Sequence, residues 1–254
     1  SSQNTSIIDR DVAAELHLPT YGQAMHLSTG GSLAYRTTIA DATVGPIHLK
    51  NFAVDATDIS YEIAHGVKVV GILGYDFLST NVFHIDYVHE LVEVIPSNDF
   101  TAAVPVPGIL DLPFKLDDGV PLVPMQIGDT LTNDVVVNCG FPITMVFGAL
   151  VSAHPDQFKD VDSRERHETF IPFADGGSFG TKAEVWFSEP ASLRFAIANY
   201  QLLPIVTTNF PAGSIDAMIG LDYLQYFDLY FDYPHDRFLV LPNKWFFNKF
   251  KLHA

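Results

Sequence analysis

The sequence predicts an all-β protein made of two homologous lobes. Three observations carry this: a long internal repeat without gaps, strand-type alternation in both copies, and few, short helices. Residues 71–96 read GILGYDFLSTNVFHIDYVHELVEVIP, and residues 217–242 read AMIGLDYLQYFDLYFDYPHDRFLVLP. They align at an offset of 146, which pairs Gly74 with Gly220, Asp76 with Asp222, Asp86 with Asp232 and Tyr87 with Tyr233. The same offset pairs Gly30-Gly31-Ser32 with Gly176-Gly177-Ser178. Such a unit is far longer than the roughly 20–50-residue periods of solenoids, so it reads as a doubled lobe. The expected division is residues 1–100 and 101–254, with the joint near Ser97–Pro107, where Asn, Asp and Pro accumulate.

Taken in order, Asp9–Leu16 reads as a short helix. Leu33–Ile39 and Ala183–Phe187 are rich in β-branched and aromatic residues and read as strands. Each follows a Gly-Gly pair, which suits a hairpin tip that needs positive φ. Asp76-Phe77-Leu78 and Asp222-Tyr223-Leu224 read as single helical turns capped by their Asp. Phe83–Tyr87 and Leu229–Tyr233 alternate as strands, turn at His89 and His235, and return through Leu91–Ile95 and Arg237–Leu241. Between the lobes, Ile109–Leu116, Val120–Ile127 and Asn133–Val137 read as strands around an Asp117-Asp118-Gly119 turn. No counterpart of this block precedes Ser1, so the first lobe is expected to lack its opening strands.

Composition narrows the function. Hydrophobic residues make up 48% and charged residues 17%, the balance of a chain with a large core. The net charge of −16 repels phosphate backbones and argues against nucleic-acid binding. One cysteine excludes an internal disulfide and any multi-cysteine metal site. No apolar run reaches about 18 residues, so no membrane span is expected. Ten histidines show no metal-ligand spacing, and neither metal nor cofactor is expected. The acidic surface suits an extracytoplasmic or secreted protein that stays soluble in mild acid.

A strand ending in an x-x-Gly loop, then a Gly-rich hairpin, then apolar-apolar-Gly before a helical turn, all occurring twice, resembles the aspartic peptidases. The closest form is the tandem, retropepsin-like one with a bilobal pepsin-like fold and two pseudo-twofold-related β lobes. The resemblance covers roughly residues 1–100 and 108–243. It implies that Ile72-Leu73-Gly74 and Met218-Ile219-Gly220 are the psi-loop supports beneath the catalytic loops. It also implies that the hairpins at Gly30-Gly31-Ser32 and Gly176-Gly177-Ser178 are flaps over the substrate. The substrate implied is an extended peptide or protein segment held between the lobes.

The catalytic loops depart from the family. Asn138-Cys139-Gly140 stands where the second lobe should carry Asp-Thr/Ser-Gly, and the lobe-one loop would lie just before Ser1. Aspartic catalysis needs two carboxylates sharing one proton, with the ionised one taking a proton from water as it attacks the carbonyl. The Asn138 amide cannot accept or release that proton. The chain as written is therefore expected to be inactive although its design is that of a peptidase. A pseudo-peptidase that binds peptides without cleaving them is the alternative. Completion of lobe one by an N-terminal segment or a second chain is the expected partner relation.

Three further signals are weaker. Gly176-Gly177-Ser178-Phe179-Gly180 fits the serine-hydrolase elbow, yet that elbow needs a helix after it, and the following residues read as a strand. Cys139 offers a thiol nucleophile, but it reads better as a small buried residue. The tail from Lys244 to Lys251 is basic and aromatic, and its aromatics are expected to pack on the second lobe with the lysines outward.

Overall fold

The computed structural model describes residues 4–26, 32–59, 63–64, 66–100, 109–117, 119–158, 167–171, 181–188, 193–195, 198–199, 205–209 and 213–250. They form open β-sheets with a few short helices, as the alternation and scarce helical periodicity predict.

The first half begins with β1 (Ile7–Asp9) and α1 (Arg10–Glu15). It continues through β2 (Thr20–His26), β3 (Ser32–Val44), β4 (Ile47–Thr57), β5 (Ile63–Ala64), β6 (Val67–Lys68) and β7 (Gly71–Ile72). Five of these make a sheet in the order β2-β3-β4-β1-β7, with β1 parallel to β4 and antiparallel to β7. One face packs Ile8, Ala13, Val54 and Ala56 together. After α2 (Tyr75–Leu78) come β8 (Asn81–Asp86) and β9 (Leu91–Pro96).

The second half holds β10 (Leu110–Pro113), β11 (Lys115–Asp117), β12 (Val120–Ile127), β13 (Thr130–Val137), β14 (Met145–Val146) and α3 (Gly148–Ala153). Then come β15 (His167–Ile171), β16 (Thr181–Ser188), β17 (Leu193–Phe195), β18 (Ala198–Asn199), β19 (Ile205–Thr208) and β20 (Ala217–Ile219). The chain closes with α4 (Leu221–Leu224), β21 (Phe227–Asp232), β22 (Arg237–Pro242) and α5 (Lys244–Phe250). In this half β14 lies between β19, parallel, and β20, antiparallel, which is the arrangement of β1 between β4 and β7. Beyond β20, β13 adds a further parallel strand.

The strand expected over Ile109–Leu116 is two strands. It breaks at buried Phe114, whose N–H donates to the Asp236 carbonyl at 3.0 Å. The cause is a change of sheet: β10 pairs with β22, whereas β11 pairs with β12.

A third sheet, ordered β10-β22-β21-β8-β9, draws on both halves. Hairpins β8–β9 and β21–β22 have the same register at the 146 offset, from Asn81 opposite Pro96 and Phe227 opposite Pro242 onward. Their turns carry Glu90 and Asp236 at φ +54° and +52°. Strands β8 and β21 pair antiparallel, with His84 opposite Tyr230 and Phe83 opposite Phe231. Positions 84 and 230 correspond at that offset, so the strands meet about their own equivalent residues. The His84 and Tyr230 rings stack there at 4.1 Å. Phe77, Phe83, Phe227, Leu229, Phe231, Tyr233, Phe238 and Phe246 join one continuous core across this junction. Edge-to-face pairs such as Phe77–Phe83 at 5.7 Å add about 0.5–1.5 kcal/mol each beyond area burial.

In the tail, Phe246 is buried against Phe227 and Lys244 and Lys249 stay exposed, as expected. No helix among the described residues is long and apolar enough to cross a membrane.

Candidate active site

Each half holds its loop with the same clamp. In the first, the Asp76 carboxylate accepts the Ser6 N–H at 2.9 Å, the Ser6 hydroxyl at 2.6 Å and the Phe77 N–H at 2.8 Å. The Gly74 N–H donates to Ser6 Oγ at 2.9 Å, and the Asp76 N–H to the Asn4 carbonyl at 3.1 Å. In the second, Asp222 accepts the Thr144 N–H at 3.0 Å and its hydroxyl at 2.7 Å. The Gly220 N–H donates to Thr144 Oγ1 at 3.0 Å, and the Asp222 N–H to the Pro142 carbonyl at 3.1 Å. Every partner in one clamp has its counterpart in the other.

The glycines follow from this closeness. A Cβ on Gly74 would stand 2.5 Å from the Thr5 carbonyl carbon, and one on Gly220 would stand 2.5 Å from that of Ile143. Two backbones pass where no side chain fits.

The clamps correct the capping assignment. The N-cap residues of α2 and α4 are Gly74 and Gly220, with no side-chain cap bond. Asp76 and Asp222 sit two residues further in and reach across to the neighbouring loop. Burial pushes the Asp222 carboxyl up, against the Thr144 and Tyr223 bonds that favour its ionised form. The sequence reading missed Ser6 and Thr144. Their signal is Ser6-Ile7-Ile8 against Thr144-Met145-Val146, at an offset of 138 and not 146.

Of the residues expected to be psi-loop supports, Ile72 pairs with Ile7 and Met218 with Met145. Ile219 pairs with Val137, the last residue before the candidate loop. Asn138 therefore emerges directly from β13. Its N–H donates to the Ile219 carbonyl at 3.1 Å, and its Oδ1 accepts the Gly140 N–H at 3.1 Å. Its amide Nδ2 points to Met218 Sδ at 3.4 Å. The side-chain oxygen is thus held by the loop's own backbone, with Gly140 exposed beside it.

Partly buried Cys139 lies within hydrogen-bond reach of Tyr87 of the first half. Burial pushes its thiol pKa up, which disfavours the thiolate a cysteine nucleophile needs. The Tyr87 hydroxyl is also raised, by burial and by Cys139.

The hairpin tips fall differently. Ser32 opens β3 opposite His26, so β2 and β3 form the expected hairpin. Gly30, Gly31, Gly176, Gly177 and Ser178 lie outside the described residues. Strands β15 and β16 flank the second tip as an antiparallel pair. Thr181–Ser188 is a strand where the serine-hydrolase elbow requires a helix. No group of three potential metal ligands occurs among the described residues.

An aspartyl protease family model matches residues 2–77, a segment that is thereby similar to the aspartic peptidases. No match is found among curated protein sequences. Among solved structures, conglutin gamma, a basic 7S globulin from lupine seeds, is similar at 11% identity and a TM-score of 0.47, over 87% of this chain and 69% of that one. The basic 7S globulin from soybean is similar at 10% identity and a TM-score of 0.46, over 95% and 87%. A retropepsin-like aspartic protease from Rickettsia conorii is similar at 12% identity and a TM-score of 0.35, over 52% and 91%.

Proposed function

We propose that this chain, related through residues 2–77 to the aspartyl proteases, is an aspartic-peptidase-type scaffold. It holds an extended peptide between two duplicated lobes, 1–100 and 101–254, and does not cleave it. The flaps are the hairpins at Gly30-Gly31-Ser32 and Gly176-Gly177-Ser178. The supports are Ile72-Leu73-Gly74 and Met218-Ile219-Gly220. The observation that carries this reading is the matched pair of clamps, Ser6–Asp76–Gly74 and Thr144–Asp222–Gly220. The second clamp backs a loop whose carboxylate position is filled by Asn138.

Asn138 supports the silent form over the active one. An amide held by the Gly140 N–H keeps the loop's shape, but it cannot shuttle the proton on which the two-carboxylate mechanism turns. The partner reading follows from sheet edges. In the second half β10 covers β22 and β13 covers β20, and among the described residues β9 and β7 have no such neighbours. An extended segment from an N-terminal extension or a second chain fits there by strand addition.

The test combines peptide binding and cleavage at pH 4–7, with a pepstatin-type peptide as probe. The expected result is saturable binding without turnover, weakened by Gly140→Val. Turnover by the unaltered chain would overturn the silent reading, and absence of peptide binding by the folded chain would overturn the cleft.

A further inference from the structure

We propose that the junction between the two halves is tightened by acid, through protonation of Asp228 where it faces Asp86 across the β8–β21 pair. The inference concerns the lobe seam and holds whether or not the cleft binds peptide.

The register creates the arrangement. With His84 opposite Tyr230, the next residues on the same face of each strand bring Asp86 opposite Asp228. Directly opposed residues on antiparallel strands have Cβ atoms about 4.5–5.5 Å apart, and like charges at such positions destabilise the pair. The corresponding place on the other side of the His84–Tyr230 pair sets Val82 opposite Asp232 and carries no such conflict. The repulsion is therefore confined to one end of the seam.

The two carboxylates are not equivalent. Asp86 accepts the Val88 N–H at 2.9 Å and the His89 N–H at 3.0 Å, and it pairs with His89 Nδ1 at 2.6 Å. Burial opposes its ionisation, but the His89 and Val88 bonds outweigh that, and its carboxyl lies below the ordinary value. Among the described residues, Asp228 has no comparable bonds to offset its surroundings. Burial, and then Asp86, push its carboxyl up, with His84 and His89 partly compensating. The proton therefore goes to Asp228. The groups facing Asp228 are Asp86 and His84 from β8 and His89 from the turn. Its own strand adds Tyr230, and β22 sets apolar Leu241 opposite it. Glu93 of β9 is engaged with His84 Nδ1 at 2.6 Å.

The sign follows from linkage. A carboxyl raised in the folded state contributes stability that is complete below its unfolded value of 3.8 and is lost as pH rises through the folded value. Acid thus closes the seam, and approach to neutrality loosens it.

The experiment is hydrogen exchange by mass spectrometry on segments 82–86 and 228–232, corrected for intrinsic rates, between about pH 4 and about pH 7. The unaltered chain should open less often at the acid end than at about pH 7. Asp228→Asn should show acid-level protection at pH 7 and lose that dependence. The variant keeps His84 and His89, so the difference from the unaltered chain isolates Asp228. Asp228→Gln provides a second neutral side chain should the first variant fold poorly. A seam whose protection does not change with pH, or folded neutral variants that retain the full dependence, would overturn the proposal.

Discussion

Ile72-Leu73-Gly74 and Met218-Ile219-Gly220 are the same motif in the same clamp, yet their surroundings differ. Met218 and Ile219 are fully enclosed, because β13 lies along β20 and Leu122 and Val136 pack beneath it. Ile72 and Leu73 stay partly exposed, because among the described residues only β1 flanks β7. The hairpins repeat the contrast. Phe238, covered by β10, is 0% exposed, whereas its counterpart Val92 is 62% exposed. Near the second clamp, Met145, Phe147 and Val206 pack as an apolar cluster. The first half has buried Asp9 at the place of Phe147, bonded to Lys68 at 3.1 Å and to the Ile59 N–H. Two clamps can thus match bond for bond while the chemistry packed under them diverges. The hydrogen bonds that shape the loop involve the chain within each clamp, and the cluster beneath depends on whichever segment covers it.

The largest effect expected on this contrast is from Phe238→Ala. It removes a fully buried ring and should cost about 3–5 kcal/mol in chemical denaturation. A loss below about 1 kcal/mol would mean that β10 does not enclose this hairpin.

An intermediate effect is expected from Lys68→Met, which leaves Asp9 without its cation. Burial works to raise the Asp9 carboxyl, but the bonds from Lys68 and Ile59 hold it below 3.8. A depressed carboxyl contributes stability that is present above its unfolded value and lost as pH falls through the folded one. The variant should lose about 1–2 kcal/mol at pH 7, discounted from a fully buried pair because Lys68 is half-exposed. The gap between variant and parent should narrow as pH falls below about 4. Denaturation midpoints from pH 3 to pH 7 check it, and a gap that widens in acid would contradict the assigned pairing.

The smallest effect is from Val92→Ala, the counterpart of the first substitution. On an exposed edge it should change stability by less than about 0.5 kcal/mol. A cost approaching that of Phe238→Ala would show that something covers β9 in solution.

Much of this was legible in the residues. The repeat placed both hairpins in register, and Val120–Ile127 reads as a strand and is one, residue for residue. The apolar-apolar-Gly segments announced themselves, since only glycine fits where Gly74 passes Thr5 and Gly220 passes Ile143. The destinations of Asp76 and Asp222 were not legible. An Asp two residues after a Gly at the start of a helical turn is also what a cap looks like, and its true partners lie 70 and 78 residues away in sequence. Ser6 and Thr144 escaped because their offset of 138 differs from that of the hairpins. The chain between them is longer in one half than in the other, and a single alignment cannot follow both.

By itself the sequence determined the matched plan of the two hairpins: offset, strand and turn order, obligatory glycines, and an amide at Asn138. These are local matters of side-chain alternation, backbone space and chemical identity. Only the tertiary structure decided which copy of each motif is buried, that Asp9 meets Lys68 where Phe147 meets apolar neighbours, and that Asp86 faces Asp228. Those outcomes depend on segments brought together from distant parts of the chain, and burial and charge pairing have no value until the neighbours are in place.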